Sequence, residues 1–200
     1  MTAPSSKPAP LADYEILLCL TGGIACYKAA DLASQLVQAG SGVSAIMTEA
    51  AQKFIGPATL QGLTRREVYT SLWIGPGQGR ANHIALADRA DLMVVAPATA
   101  NIIAKFAAGL AEDLVSTTAL AVSGICPILI APAMNSRMWA AEPTQANVSK
   151  LRQWGFHFAG PAEGNLACGT TGPGRLASPA ELMNAITELL KDRPPRKRAQ

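Results

Sequence analysis

Residues 16–25 read Ile16-Leu17-Leu18-Cys19-Leu20-Thr21-Gly22-Gly23-Ile24-Ala25. The apolar run at 16–20 suits a strand buried on both faces, and it ends abruptly in a hydroxyl and two glycines. Beyond the glycines, Ala25, Ala29, Leu32 and Leu36 recur at spacings of four, three and four, laying one apolar stripe along a helix until Gly40 stops it. A buried strand, a glycine turn and an amphipathic helix in that order open a parallel α/β sheet.

The same alternation continues along the chain. Segments 92–96 and 128–131 are equally apolar, and 43–47 reads as a further strand. Helical patterns occupy 101–108, 114–122, 144–154 and 179–190; in the last, Leu182, Met183, Ile186, Leu189 and Leu190 form one core-facing stripe. Right-handed crossovers then build a parallel sheet with helices on both faces. Ligands on such sheets lie beyond the carboxyl ends of the strands, which directs attention to residues 21–25, 48–51, 97–101 and 132–138.

Composition limits the function classes. A chain of 200 residues with 49% hydrophobic and 16% charged residues buries a sizeable core in one domain and is not disordered. The expected division is a flexible segment at 1–13, a folded domain at 14–191 and a basic tail or linker at 192–200. The net charge of +3 is local: residues 191–200 carry +4, leaving the first 190 residues at −1. Such a tail gives no ground for a nucleic-acid partner. The Pro- and Ala-rich start lacks the apolar core of a secretory signal. The uncharged stretch 114–136 contains Gly124, Pro127 and Pro132 and is diluted by Ser116, Thr117, Thr118 and Ser123, so helix, turn and buried strand fit it better than a membrane span. Cysteines at 19, 26, 126 and 168 show neither CxxC nor a zinc-ligand spacing, so free thiols, no metal and a cytoplasmic setting are expected.

Several strand ends carry candidate chemistry. Glycines at 22 and 23 let the backbone approach an anion at a helix start, although a plain strand-to-helix turn explains them equally well. The segment is not GxGxxG, and Met47-Thr48 stands where a dinucleotide site needs an acid, which leaves room for a mononucleotide. Pro97-Ala98-Thr99-Ala100-Asn101 offers small side chains and hydroxyls to a phosphate or flat ring. His83, at the start of a short helix, is a candidate acid or base, while His157, between two phenylalanines, is read as structural. In Pro132-Ala133-Met134-Asn135-Ser136-Arg137-Met138-Trp139 the Asn135 amide could hold a carboxylate; Asn135 or Ser136 as a helix N-cap is the alternative. The stretch 164–176 packs four glycines around Cys168 and Arg175, as a closing flap with a reactive thiol would. Cys19, Cys26 and Cys126 read as small core residues.

In this order the motifs resemble the homo-oligomeric flavin-containing cysteine decarboxylases, the phosphopantothenoylcysteine decarboxylases in particular, over residues 15–190. Thr21-Gly-Gly-Ile-Ala25, His83-Ile84, Ala90-Asp91, Pro97 to Asn101, the segment from Pro132 to Trp139 and Ala167-Cys168-Gly169 carry the resemblance. It implies a three-layer α/β/α sandwich, flavodoxin-like or Rossmann-like, assembled as a homo-oligomer, a trimer or a dodecamer of trimers. FMN would sit at a subunit interface against Gly22, Gly23, Thr48, Ala98, Thr99, Asn101 and Asp113. His83 would face Asn135 and Cys168 of a neighbouring subunit. Met134, Asn135, Ala167 and Cys168 would line the substrate, with Arg137 or Arg175 at its phosphate.

The implied chemistry removes carbon dioxide from phosphopantothenoylcysteine to give phosphopantetheine, on the route to coenzyme A. An unactivated carboxylate would leave an unstabilised carbanion, so the cysteine side chain is first oxidised to a thioaldehyde at the expense of FMN. Loss of carbon dioxide then gives an aminoenethiol, which regains the hydride while Cys168 supplies a proton; Asn135 grips the carboxylate and His83 assists the oxidation. Relatives are often fused to a ligase domain, so a separate phosphopantothenate-cysteine ligase is an expected partner. Arg89 stands where relatives often carry tryptophan. Rival readings are a peptidyl-cysteine decarboxylase, disfavoured by Ala167-Cys168-Gly169; a flavin prenyltransferase, disfavoured by Pro132 to Asn135 and Cys168; and a non-catalytic flavin-binding regulatory subunit, disfavoured because His83, Asn135 and Cys168 are all present.

Overall fold

A computed structural model describes residues 9–73, 81–165, 169 and 171–197. The first half runs β1 (Glu15–Leu20), α1 (Cys26–Gln38), β2 (Gly42–Met47), a 3₁₀ turn (Ala51–Lys53), α2 (Pro57–Thr64) and β3 (Val68–Tyr69). The second half runs α3 (Asn82–Arg89), β4 (Leu92–Ala98), α4 (Ala100–Ala108), α5 (Leu114–Val122), β5 (Ile128–Pro132), α6 (Ser136–Ala140), α7 (Glu142–Gln153), β6 (His157–Phe158), β7 (Ala162–Asn165), β8 (Thr171–Arg175) and α8 (Pro179–Leu190).

Six strands form one parallel sheet in the order β3-β2-β1-β4-β5-β6. The sheet therefore winds one way from β1 and the other way from β4. Alternation along β1 explains the two helix layers: Ile16, Leu18 and Leu20 pack with α1, α2 and α8, while Leu17 and Cys19 pack with α3, α4, α5 and α7. A strand sandwiched in this way is apolar at every position, which is why the runs at 16–20, 92–96 and 128–131 are so plain in the sequence. Each buried Leu or Ile contributes on the order of 2 kcal/mol to this arrangement. The expected three-layer α/β/α architecture is the one observed.

The uncharged stretch 114–136 is α5, a turn and β5. Among the described residues no helix is long and apolar enough to cross a membrane. The helices expected at 114–122 and 179–190 have those bounds, and β4 runs two residues further than its apolar core, through Pro97 to the fully buried Ala98. Two elements were not legible: α2 buries only Leu60 and Thr64, too few for an apolar stripe, and β3 has two residues. The glycine-rich stretch expected as a loop is, in its described parts, a two-stranded antiparallel ribbon, β7 against β8. Gly172 in that ribbon has φ +155°, and a Cβ there would lie 3.2 Å from the Ser136 Oγ, so the ribbon rests directly on α6.

Both ends of the domain are tied in. Within the segment expected to be flexible, Leu11 is buried and its N–H donates to the Ala39 carbonyl at 2.9 Å. Within the expected tail, Arg196 donates from its backbone N–H to the buried Asp91 at 2.8 Å and from its guanidinium to the Ala90 carbonyl at 2.9 Å. The other oxygen of Asp91 accepts from the Glu15 N–H at 2.8 Å, so one carboxylate fastens the start of β1 and the segment at Arg196 together.

Candidate active site

The carboxyl ends of β1 and β4 are held by one hydroxyl. Thr21 Oγ1 donates to the Pro97 carbonyl at 2.6 Å and accepts from the Thr99 N–H at 3.0 Å. Thr99 in turn caps α4, accepting from the Ile102 N–H at 3.3 Å. Between these tethered ends the chain turns through Gly22 and Gly23 into α1, whose first turn has no side-chain cap and no acidic residue. A Cβ on Gly22 would lie 2.5 Å from the Ala50 Cβ, so only glycine allows this approach; a Cβ on Gly23 would meet nothing nearer than Pro97 Cγ at 3.8 Å. The second glycine therefore leaves open space rather than relieving a clash.

Two cavities meet at this turn, sharing Gly22 and Thr99 in their walls. The smaller, about 420 Å³, is lined by Thr48, Lys53, Asn101 and Asp113 among others. The larger, about 600 Å³, runs from Gly23 and Lys28 past Thr99 to Ala133, Met134 and Asn135 and on to Arg175 in the ribbon. Volumes of this size accommodate a cofactor or a small substrate.

Asp113 already has work within the fold. One of its oxygens accepts from the Ser116 N–H at 2.9 Å, closing the N-terminus of α5, and the other accepts from Lys105 Nζ at 2.7 Å. Burial alone would lower the pKa of Lys105, but its hydrogen bonds to Asp113 and Glu112 more than offset this and hold the ammonium above its ordinary value. Asn135 likewise caps α6, its Oδ1 accepting from the Arg137 N–H at 2.8 Å. The capping alternative is thus realised, at a residue that also lines the larger cavity.

Of the residues singled out in the sequence, Gly22, Gly23, Thr48, Thr99, Asn101, Asp113, Met134, Asn135 and Arg175 line this double crevice. Ala98 does not: it is fully buried in the core layer facing α4, because β4 continues to that residue. His83, half-buried at the start of α3, and the exposed Arg137 border neither cavity. Ala167 and Cys168 lie outside the described residues. Sequence reasoning missed Lys28, which sits in the first turn of α1 and lines the larger cavity; burial and the nearby Arg175 lower its pKa, with Glu181 opposing. It also missed the exposed apolar rim of that cavity, formed by Ile24, Tyr27 and Met138.

A family model described as Flavoprotein matches residues 4–191. The chain belongs to the flavoprotein family. Among curated relatives of this flavoprotein, the coenzyme A biosynthesis bifunctional protein CoaBC of Bacillus subtilis is 49% identical over 173 residues, 86% of this chain and 42% of that protein. The "probable phosphopantothenoylcysteine decarboxylase" of Streptococcus mutans is 43% identical over 88% of this chain and 98% of its own length. The flavoprotein chain thus spans less than half the length of the bifunctional relatives. Among solved structures, a PPC decarboxylase mutant complexed with pantothenoylaminoethenethiol superposes with a TM-score of 0.80 at 27% identity, covering 90% of this chain and all of that one. The FMN-dependent cysteine decarboxylase SpaF does so with 0.78 at 31% identity, covering 90% and 97%.

Proposed function

We propose that this flavoprotein binds FMN and decarboxylates phosphopantothenoylcysteine to phosphopantetheine, a step of coenzyme A biosynthesis, in the cytoplasm. The observation that carries the reading is the convergence of Gly22-Gly23, Thr99 and Met134-Asn135 on one crevice at the point where the sheet reverses. The relatives named for this reaction support it from a separate direction.

The residues present fit a flavin mononucleotide. The open space at Gly23 and the uncapped first turn of α1 suit its phosphate, while Thr48, Thr99 and Asn101 offer hydroxyl and amide partners to the rest. When bound, FMN supplies a two-electron acceptor that turns the cysteine side chain into an electron sink and later returns the hydride. The chain's own residues do the positioning. Asn135 donates from its amide to the departing carboxylate, its side chain oriented by the cap on α6. Met134 presses on the same substrate segment. Cys168 is assigned the final proton, and His83 the assistance to oxidation. The location of His83 away from both cavities of its own chain supports a role in a neighbouring subunit's site, and the apolar rim of Ile24, Tyr27 and Met138 supports a homo-oligomer that covers it. A ligase acting on the preceding step is the expected functional partner.

The test is mass spectrometry of phosphopantothenoylcysteine incubated with the purified yellow protein. Loss of carbon dioxide without net oxidation is the expected outcome. A flavin-loaded protein that leaves this substrate intact but oxidatively decarboxylates cysteine-ended peptides would replace the reading.

A further inference from the structure

We propose that Lys28 and Arg175 form the subsite for the substrate's phosphate monoester, and thereby set the preference for a phosphorylated over an unphosphorylated pantothenoyl chain. The inference rests on the decarboxylase reading for the identity of the substrate. It names one residue that the motifs did not show and decides between the two arginines that they did.

Both cations line the same cavity of about 600 Å³ that holds Met134 and Asn135, and they come from elements distant in sequence, α1 and β8. Among the described residues neither is salt-bridged. Lys28 has its pKa lowered first by burial and then by Arg175, so the two positive charges stand close enough to repel. Lys28 also sits in the first turn of a helix, where the backbone dipole already disfavours a cation. Lys28 is half-buried and Arg175 exposed, and two like charges in one cavity wall remain unfavourable until an anion enters between them. Glu181 acts on both cations, one negative charge against two positive ones, and its carboxylate also accepts from the N–H and the hydroxyl of Ser178 at 2.7 Å.

Arg175 is placed for the role by the ribbon. A Cβ on Gly164 would lie 3.2 Å from its Nη1, so the missing side chain lets the guanidinium lie flat over β7. A planar fork suits two phosphate oxygens, and the Lys28 ammonium supplies a point charge beside it. Arg137, exposed on α6, does not border this cavity and has no part in the subsite. The substrate's two anionic ends are thereby separated: Asn135 takes the carboxylate that leaves, and Lys28 with Arg175 takes the phosphate that stays.

FMN carries a phosphate monoester too, so the test must separate the two sources. The flavin-loaded wild type and the variants Lys28→Gln, Arg175→Gln and Lys28→Arg would be titrated calorimetrically with 4′-phosphopantetheine and with pantetheine. FMN and riboflavin affinities of the same proteins would be measured by fluorescence quenching. The wild type should prefer the phosphorylated ligand, and each Gln variant should reduce that preference about tenfold or more, the size of one charge-assisted hydrogen bond. Lys28→Arg should retain most of it, and the preference should weaken with added salt. An unchanged preference in both Gln variants would overturn the proposal. So would a loss confined to the preference for FMN over riboflavin, which would assign the cations to the flavin. If the preference behaves as expected while no carbon dioxide is released from phosphopantothenoylcysteine, the subsite stands and the decarboxylase reading falls.

Discussion

The two adjacent glycines of the β1–α1 turn should respond oppositely to the same added methyl group. In Gly22→Ala the new Cβ would start 2.5 Å from the Ala50 Cβ, 3.1 Å from the Ala50 carbonyl carbon and 3.3 Å from its Cα. Two methyl carbons need roughly 3.5 to 4 Å, so the turn and residue 50 must part by about 1 Å. None of the three is the far end of a flexible side chain, and the turn is tethered through Thr21 to β4, so the shift is resisted. Overpacking of this kind costs about 1 to 3 kcal/mol, which lowers the unfolding midpoint of a domain this size by roughly 3 to 10 °C. Gly23→Ala meets only Pro97 Cγ at 3.8 Å and should leave the flavin-free protein within about 0.5 kcal/mol of wild type. Its methyl group instead occupies the space assigned to the flavin phosphate, so FMN affinity should fall at least tenfold. Denaturant unfolding of the flavin-free proteins and fluorescence titration with FMN measure the two effects separately. Adding Ala50→Gly to Gly22→Ala removes the closest of the three contacts and should restore part of the stability. A Gly22→Ala protein as stable as wild type, or a Gly23→Ala protein that is unstable yet binds FMN normally, would refute the argument.

Asn135→Asp keeps an oxygen to cap α6 and should hold stability within about 1 kcal/mol, whereas decarboxylation should fall more than a hundredfold because a second carboxylate faces the substrate's own; Asn135→Ala would lose activity and about 1 kcal/mol of stability together. Cys168→Ser should still release carbon dioxide but accumulate the oxidised enethiol, detectable by mass spectrometry, and normal phosphopantetheine output would remove the proton-donor role. His83→Asn should bind FMN and fail to decarboxylate; full activity would make His83 structural. Burial pushes the Cys126 thiol up to about 11, partly countered by Arg196, and burial raises the wholly enclosed Cys19 as well. Folded thiols that hold their protons more tightly than unfolded ones lose their contribution as pH rises, so stability should drop between about pH 9 and 11. Cys126 accounts for about 2 to 3 kcal/mol of that drop, and Cys126→Ala should flatten the slope of denaturant midpoint against pH.

What the sequence disclosed and what it withheld follow from one physical distinction. Strands buried on both faces must be apolar throughout, and helices packed on them must be apolar on one side, so β1, β4, β5, α1, α5 and α8 were readable from pattern alone. A cavity wall obeys no such period. Lys28 lies one position before the buried Ala29, where spacing marks it as merely solvated, and its meaning depends on Arg175, nearly 150 residues away in sequence. The contrast between Ala98 and Thr99 is of the same kind: both belong to a small-residue run, but β4 extends to the first and the second begins the crevice. Thr21 shows the reverse case, a residue whose type was plain while its work was not. The crossover from β1 packs on one face of the sheet and that from β4 on the other, so no helix covers the gap between these two strand ends. That gap would be loose without a tie, and the Thr21 hydroxyl, bonded to both Pro97 and Thr99, is the tie. It stands directly before the glycine that must approach Ala50, and on the far side of the same gap Ala133 donates its N–H to the Ala98 carbonyl at 3.0 Å, seating Met134 and Asn135 opposite. The crevice is therefore built from the reversal of the sheet outward, and its chemistry is set by the residues that the reversal leaves uncovered.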